Sequence, residues 1–265
     1  MSSKVENRRM DIIRIMQSEG KANVAEIAKM HGVTMETIRA DFDYLAEQHG
    51  WVRTHGGMEL KEFTKYSMNY FFHERQVIHM DEKKKLCCKA MDFISDGDCI
   101  YVDSGSTVIN LLDYLHQKRK LTIVTHSIGF LIRYTLDNYE KLFKEQEHRL
   151  IFLGGEVDTN IMMTYGVFFE QTLMEFAYDH VIFSVDAMDS EIGGTNVDYQ
   201  AYATIKSVFR YAKSKILLVD NSKLDLRATY KIVSVEDVDY IITNGPVKEP
   251  WESLSTQKNS HLIIV

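Results

Sequence analysis

From residue 81 to the C-terminus, short β-rich segments alternate with helical ones, and this alternation constrains the fold more than any other feature. The β-rich segments include nearly continuous apolar runs such as Ile216-Leu217-Leu218-Val219, which are typical of strands buried on both faces. We therefore predict an α/β fold with a parallel-rich sheet covered by helices on both faces. The predicted strands are 99–102, 121–125, 150–153, 181–185, 215–219, 240–243 and 261–265, and the predicted helices are 83–93, 107–116, 127–138, 166–177 and 200–213.

The first 60 residues show a different pattern of three short helices and a hairpin. Apolar residues recur at helical spacing over 5–19, and Gly20 and Gly32 are placed to end the first two helices. Asn23 and Thr34 are suited to cap the second helix, over 24–31, and the third. With strands at 51–54 and 58–60, this order is typical of a winged helix-turn-helix. We predict a winged helix-turn-helix at 1–60, a connector at 61–80 and an α/β domain at 81–265.

Several predicted strands end in small, polar or glycine residues. Ligands of open α/β sheets bind at the carboxyl ends of the strands, where glycines let the backbone approach an anion and hydroxyl groups donate hydrogen bonds to it. One such turn alone is usually a tight connection, but all of them share one sheet edge. We therefore predict a pocket for a phosphate-type ligand. Its predicted residues are Asp103, Ser104, Gly105, Ser106, Thr107, Thr125, His126, Ser127, Gly154, Gly155 and Lys223.

The start of the third helix carries the candidate residues for reading double-stranded DNA. A recognition helix in the major groove presents polar side chains from its first turns to the base edges, and a wing contacts phosphate or the minor groove. Ile38 and Phe42 fall on the opposite, apolar stripe and are predicted to be core. Thr34 could instead serve only as a cap, Arg39 could lie on a solvated face, and the wing could be a plain hairpin. The predicted DNA-contacting residues are Thr34, Met35, Glu36, Thr37, Arg39, Arg53 and His55.

Charge and composition exclude several classes of protein. The formal net charge is −7, of which only −1 falls in residues 1–62, so the chain is not one that coats nucleic acid through bulk charge. We expect no transmembrane helix and no signal peptide, because the longest apolar runs are four or five residues. The three cysteines, Cys87, Cys88 and Cys99, fit a reducing cytoplasm.

The motifs of both parts together resemble the DeoR family of transcriptional regulators. The N-terminal motifs are VAEIAKMHGVTMETIRADFDYL and RTHGG, and the C-terminal ones are DSGST, LTIVTHS, FLGGEV, the glycine pair 193–194 and LLVDNSK. The resemblance implies a bacterial cytoplasmic repressor of a carbohydrate operon. It also implies a C-terminal domain that resembles sugar-phosphate isomerases and CoA transferases, and that senses a phosphorylated sugar without converting it. Lys206 retains the position of a family lysine and joins the predicted ligand site.

The sequence departs from the family pattern at several positions. Ala40 replaces a usual arginine, Phe42 a usual leucine and His126 a usual asparagine. The residues between Gly194 and Lys206 also differ, so the identity of the sugar does not transfer from the family.

Two other functions fit parts of the sequence. One is a sugar-phosphate isomerase with an appended helical domain, in which Asp103, Asp186, Lys206 and Lys223 would serve as acid–base groups. The other is a metabolite-binding interaction protein without DNA affinity, favoured by the acidic N-terminal balance. We expect a regulator without catalytic residues, cofactor or metal, because the ten histidines are scattered and Cys87 and Cys88 point apart on a helix. We also expect a homo-oligomer, since one small DNA reader supplies few specific contacts.

Overall fold

A computed structural model of the chain describes residues 3–49, 51–59, 72–256 and 261–265. The chain divides into two compact units, Met1–Ile78 and His79–Val265. Most of the predicted connector, 61–71, lies outside the described residues, as do Leu60 and Gly50; Phe72–Val77 forms a short helix. Within the described ranges, no helix is long and apolar enough to cross a membrane.

Over its described residues, the N-terminal unit combines four helices with a small antiparallel sheet. Its helices are α1 (Ser3–Glu19), α2 (Val24–His31), α3 (Met35–His49) and α4 (Phe72–Val77), and its strands are β1 (Lys21–Asn23), β2 (Val52–Arg53) and β3 (Gly57–Glu59). The strand order is β1-β3-β2. The predicted helices and hairpin are confirmed, whereas β1 falls on residues that we predicted only as a helix cap. Its backbone pairs with β3 across more than 30 residues of sequence, and local periodicity does not report such pairing.

Local signals explain the boundaries of the reader helices. The Asn23 side chain accepts hydrogen bonds from the backbone N–H groups of Ala25 and Glu26, at 2.8 and 3.3 Å, and so caps α2. Gly32 follows α2 with a φ of 62°, a left-handed conformation that glycine adopts without strain. Ile38 and Phe42 are fully buried, which confirms their predicted place in the core.

The C-terminal unit is built on a seven-stranded, fully parallel sheet. Its strands are β4 (Cys99–Val102), β5 (Thr122–Thr125), β6 (Arg149–Phe152), β9 (Tyr178–Phe183), β12 (Ala212–Leu218), β14 (Tyr240–Thr243) and β15 (Leu262–Ile264). Their order is β15-β14-β12-β9-β4-β5-β6, and all neighbours run parallel. The predicted parallel sheet is confirmed. Ile100, Ile123, Ile182, Ile216 and other strand residues are buried, as expected for a sheet covered on both faces.

Helices and smaller sheets complete this unit. The helices are α5 (Met80–Ala90), α6 (Ile128–Leu136), α7 (Tyr139–Glu145), α8 (Val167–Leu173), α9 (Tyr199–Val208) and α10 (Trp251–Thr256). A hairpin joins β7 (Glu156–Asp158) to β8 (Met163–Tyr165), and a three-stranded sheet joins β10 (Ala187–Asp189), β11 (Gly193–Asn196) and β13 (Tyr230–Val233). The predicted helix 107–116 is instead two 3₁₀ segments, Val108–Asp113 and Leu115–Gln117.

The glycine pair 193–194 lies in strand β11. Gly193 has a φ of 96°, and a Cβ atom there would lie 2.1 Å from the Val233 carbonyl oxygen. At Gly194 a Cβ atom would lie 2.9 Å from the Val185 side chain. The glycines are therefore needed for close packing between strands, and approach to an anion is not required to explain them.

Candidate functional site

The strand order of the parallel sheet reverses at β4, and this places one crevice at a defined edge. Successive strands β4, β5 and β6 extend to one side, whereas β9, β12, β14 and β15 extend to the other. Ligands of open α/β sheets bind outside the carboxyl ends of the strands at such a switch point. The segments after β4 and β9 lie against each other there, because a Cβ atom on Gly105 would come within 2.0 Å of the Ser184 Oγ.

Asp103 follows β4 directly and lies at this switch point. Its carboxylate accepts hydrogen bonds from the backbone N–H groups of Ser104 and Ser184, one from each side of the crevice. Its side chain is 11% exposed. Burial raises the pKa of Asp103 to about 7, and the nearby negative charge of Asp186 raises it further against the effect of the two N–H donors. Near neutral pH this group therefore exists both as a carboxylate and as an acid.

His126 follows β5 and is fully buried beside Asp103. Its Nδ1 is hydrogen-bonded to the Tyr101 hydroxyl, and its Nε2 lies 3.8 Å from an Asp103 carboxylate oxygen. Within the described part of the chain, Nε2 has no hydrogen-bond partner. Burial lowers the pKa of His126 to about 3, so the imidazole is neutral at physiological pH.

Two buried lysines reach the same edge. The Lys83 Nζ, on α5, donates a hydrogen bond to the Ser106 Oγ at 3.3 Å, and the Lys223 Nζ donates to the Val185 carbonyl at 2.8 Å. Asp220, after β12, is almost fully buried. Burial acts to raise its pKa, but the charge of Lys223, a hydrogen bond from Ser222 and the charge of Lys83 lower the pKa overall.

Lys83 is not among the residues predicted for this site from the sequence. Its signal is present in the sequence, since Lys83 shares the helical spacing of Leu86, Cys87 and Ala90, which form the buried face of α5. A charged residue on an apolar helix face is rarely buried without a specific partner or task.

The hydroxyl groups of the predicted pocket fall into two groups. The Thr125 Oγ1 donates to the Val102 carbonyl at 2.7 Å and accepts from the Ser127 N–H at 3.1 Å, so it holds the turn together. The Ser127 Oγ caps α6 by accepting from the Phe130 N–H. By contrast, Thr107 Oγ1 is buried with no hydrogen-bond partner among the described residues. Ser104 makes a long contact, 3.5 Å, to the sulfur of Met163.

Three of the predicted pocket residues make no contact described above with the groups around Asp103. Gly154 and Gly155 are exposed at the start of the β7–β8 hairpin. A Cβ atom on Gly155 would lie 2.2 Å from the Tyr165 carbonyl oxygen, so hairpin packing requires this glycine. Lys206 lies on α9 and is exposed. The structure therefore brings together the residues after β4, β5 and β12, with Lys83 added.

The first turns of α3 present a polar, exposed surface. Thr34, Met35 and Glu36 are exposed, and Thr37 is half-buried with its hydroxyl 3.0 Å from that of Thr34. Arg39 is 52% exposed and forms an ion pair with Glu36 at 3.2 Å. A pair this exposed is weak, so the guanidinium is able to exchange Glu36 for a phosphate or a base edge.

Arg53 and two arginines of α1 have partners inside the unit. The Arg53 Nε donates to Asp43 on α3 at 2.8 Å, and one of its terminal nitrogens donates to the Gly57 carbonyl at 2.6 Å. It therefore ties the wing to the reader helix. His55 is exposed at the wing tip. Arg8 and Arg9 on α1 both contact the buried carboxylate of Asp41, which joins α1 to α3.

Cys87 and Cys88 have the environments that helical geometry predicts. Cys87 is buried and Cys88 is exposed, and both are free thiols, as is Cys99. Over the ranges that the structure covers, no cluster of three or more His, Cys, Asp or Glu side chains is arranged to hold a metal ion.

A winged helix-turn-helix unit followed by a parallel α/β unit with a charged strand-end crevice defines a DNA-binding transcription regulator with a small-molecule sensor domain. A family model described as the DeoR-like helix-turn-helix domain matches residues 8–64, and one described as the DeoR C terminal sensor domain matches residues 78–245. The chain belongs to the DeoR family of transcriptional regulators.

Its relatives include regulators from several bacteria. The glycerol-3-phosphate regulon repressor of Escherichia coli strain K12 is 27% identical over 242 residues, which cover 90% of each chain. A putative aga operon transcriptional repressor of Escherichia coli O157:H7 is 22% identical over 97% of this chain and 92% of its own. The regulator IolR of Bacillus subtilis is 25% identical over 91% of this chain and 94% of its own.

Among solved structures, the similarities are partial. Ribose 5-phosphate isomerase from Plasmodium falciparum matches with a TM-score of 0.36 and 20% identity, over 54% of this chain and 52% of its own. The eIF2B beta subunit from Chaetomium thermophilum matches with a TM-score of 0.41 and 18% identity, over 63% of this chain and 48% of its own.

Proposed function

We propose that this regulator represses a carbohydrate operon and that a phosphorylated sugar, bound at the carboxyl ends of β4, β5 and β12, controls its affinity for operator DNA. In this proposal residues 1–60 read the operator and residues 81–265 sense the effector. The printed functions of its relatives support the proposal, since two are repressors and one of these acts on a glycerol-3-phosphate regulon. The protein acts in the cytoplasm, where the bacterial chromosome is, as a homo-oligomer on repeated half-sites.

One observation carries the effector assignment, namely the buried ammonium group of Lys83 against a loop rich in hydroxyls. Residues 104–107 supply three hydroxyl groups, and Lys83 contacts one of them, at Ser106. Thr107 Oγ1 lies buried without a partner among the described residues. A phosphate would accept hydrogen bonds from these hydroxyl groups and from the buried ammonium group of Lys83. Lys223 adds a second buried cation after β12.

Thermal shifts of the full chain test the effector assignment. Glycerol 3-phosphate, ribose 5-phosphate and glucose 6-phosphate are compared with their unphosphorylated parents. A true effector raises the stability by about 2.7 kcal/mol at a hundredfold excess over its dissociation constant. The variant Lys83→Met should lose this shift, whereas Lys85→Met, a matched change at an exposed lysine on the same helix, should keep it. Stabilisation by free sugars and by no phosphorylated compound would contradict the proposal.

Operator binding is tested by a gel shift with the DNA upstream of the protein's own gene. Arg39→Ala should weaken binding by about 1–3 kcal/mol if its guanidinium contacts a base or a critical phosphate. Lys248→Ala, which removes one exposed charge from the other unit, is the control. Equal affinity of both variants at fixed salt would remove Arg39 from the contact surface.

We further propose that the protein binds its effector without converting it. Asp103 and Asp186 resemble an acid–base pair in their proximity, so the point needs a direct assay. We expect no isomerisation of pentose or hexose phosphates by purified protein, measured by NMR of the mixture over hours. Turnover that disappears in Asp103→Asn would show that the protein is an enzyme.

A further inference from the structure

The imidazole of His126 is held in one orientation by its neighbours. The Tyr101 ring stacks on it, with ring centroids 5.6 Å apart and an interplanar angle of 15°, and Phe169 packs against it at 5.1 Å. The Tyr101 hydroxyl is hydrogen-bonded to Nδ1. All three side chains are buried, so the ring has no room to turn over and Nε2 faces Asp103.

Tyr101 also determines which nitrogen of His126 carries the proton. Burial and the charge of Asp103 raise the pKa of Tyr101 well above its ordinary value, so the phenol keeps its proton. A phenol that keeps its proton can donate it to Nδ1, and the proton of the neutral imidazole then lies on Nε2, where it faces the carboxylate of Asp103. In this arrangement Nε2 is a buried N–H donor without an acceptor among the described residues, which costs stability unless something binds there.

The gap between Nε2 and Asp103 has the size of one hydroxyl group. The 3.8 Å separation is too long for a direct hydrogen bond. An oxygen about 2.8 Å from each atom would span it with an angle of about 85° at that oxygen. A hydroxyl is the group that accepts from an N–H and donates to a carboxylate at the same time. A carbonyl oxygen would satisfy Nε2 but would face the ionised carboxylate of Asp103 with a second acceptor.

We propose that His126 and Asp103 together recognise one hydroxyl group of the effector, with Tyr101 as the positioning residue that holds the imidazole as an Nε2–H donor. This inference rests on the proposed function and deepens it, because it makes the effector a hydroxylated phosphate ester and excludes an ester that has phosphate alone. The hydroxyl group reaches the pair from the side of Asp103, because the Asp103 side chain is partly exposed and that of His126 is not.

Binding measurements with matched probes test the pair. The probes are glycerol 3-phosphate, ribose 5-phosphate and glucose 6-phosphate, with ethyl phosphate as the probe that has a phosphate and no carbon-bound hydroxyl. In His126→Leu, the hydroxylated probe that binds the wild type best should lose about 10- to 100-fold in affinity. Ethyl phosphate should change less than about twofold, because it makes no contact that the substitution removes.

His148→Leu is the matched control for removing a buried histidine from the same unit. Both ring nitrogens of His148 have partners, the Leu121 N–H at 3.1 Å and the Leu115 carbonyl at 3.0 Å. Its replacement should lower the melting temperature without changing the ratio of the affinities for the hydroxylated probe and ethyl phosphate.

The role of Tyr101 has a spectroscopic readout that packing alone would not change. In protein labelled with ¹⁵N at histidine, wild-type His126 should show the Nε2–H tautomer, and Tyr101→Phe should shift population toward Nδ1–H. The same variant should lose more affinity for the hydroxylated probe than for ethyl phosphate. An Nδ1–H tautomer in the wild-type protein would overturn the assignment.

The outcomes separate this inference from the proposed function. If no phosphorylated probe binds the wild type, both fall together. Suppose instead that a hydroxylated probe binds the wild type, and that His126→Leu weakens the binding of this probe no more than the binding of ethyl phosphate. The proposed function then stands and the hydroxyl inference is wrong.

Discussion

The buried carboxyl of Asp103 should lower the stability of the folded protein at neutral pH. Replacing Asp103 with a residue that carries no charge should therefore raise that stability. Burial raises the pKa of this group from 3.8 to about 7, so the folded state favours the protonated form. The stabilising effect of the raised pKa is complete below pH 3.8 and is lost as the pH rises to 7. About three pH units at about 1.4 kcal/mol each amount to about 4 kcal/mol. Asp103→Asn removes this dependence and keeps one side-chain oxygen as an acceptor for the backbone N–H groups at this site.

His126 contributes to the stability of the folded protein with the opposite pH dependence to that of Asp103. Burial lowers its pKa from 6.5 to about 3, so its contribution to stability is present above pH 6.5 and is lost as the pH falls toward 3. In the wild type the two effects oppose each other between about pH 4 and 6.5. In Asp103→Asn only that of His126 remains. The variant should therefore exceed the wild type by up to about 4 kcal/mol at pH 8 and approach it near pH 4.

Urea unfolding followed by tryptophan fluorescence measures this difference. The chain has two tryptophans, Trp51 in the N-terminal unit and Trp251 in the C-terminal unit. Making both proteins in a Trp51→Phe background lets Trp251, which is 1% exposed, report on the sensor unit alone. Glu236→Gln is the control, since it removes an exposed carboxylate of the same unit that does not act on the pKa of Asp103. Equal stability of Asp103→Asn and wild type at pH 8, or a difference that grows toward pH 4, would refute the reasoning.

Two predictions concern the DNA-reading unit. Gly57→Ala should lower the melting temperature measurably, because the added Cβ atom would lie 2.2 Å from the Ala22 carbonyl oxygen. Gly56→Ala should leave the melting temperature unchanged, because nothing lies within 4 Å of a Cβ atom there. Equal melting temperatures of the two variants by scanning fluorimetry would contradict this close packing at Gly57. If Arg53 acts by tying the wing to α3, Arg53→Ala and Asp43→Ala should both weaken operator binding. Each substitution should also lower the free energy of unfolding by about 1 kcal/mol. Unchanged or tighter binding by Asp43→Ala in a gel shift would show that Arg53 acts on DNA directly.

The sensor sheet illustrates what periodicity could predict and what it could not. Ile216 and its neighbours form a strand because a continuous apolar run suits a strand buried on both faces, and this is visible in the sequence. The pattern over 107–116 predicts a helix without specifying its type, and the segment forms short 3₁₀ helices. The Asn110 side-chain amide donates there to the backbone carbonyls of Ser106 and Thr107. That side chain competes with regular helical hydrogen bonds, and its outcome depends on the packing around it.

The sequence by itself determined the elements whose signals are local, such as the cap at Asn23, the turn at Gly32 and the buried stripe of Ile38 and Phe42. Their causes act over a few residues, so spacing reveals them. Only the tertiary structure decided which strand-end groups meet. Lys83 joins Ser106 across 23 residues, and the order of strands places Asp103 at 3.8 Å from Nε2 of His126, beyond hydrogen-bond distance. Such distances follow from long-range strand pairing, which no local pattern encodes.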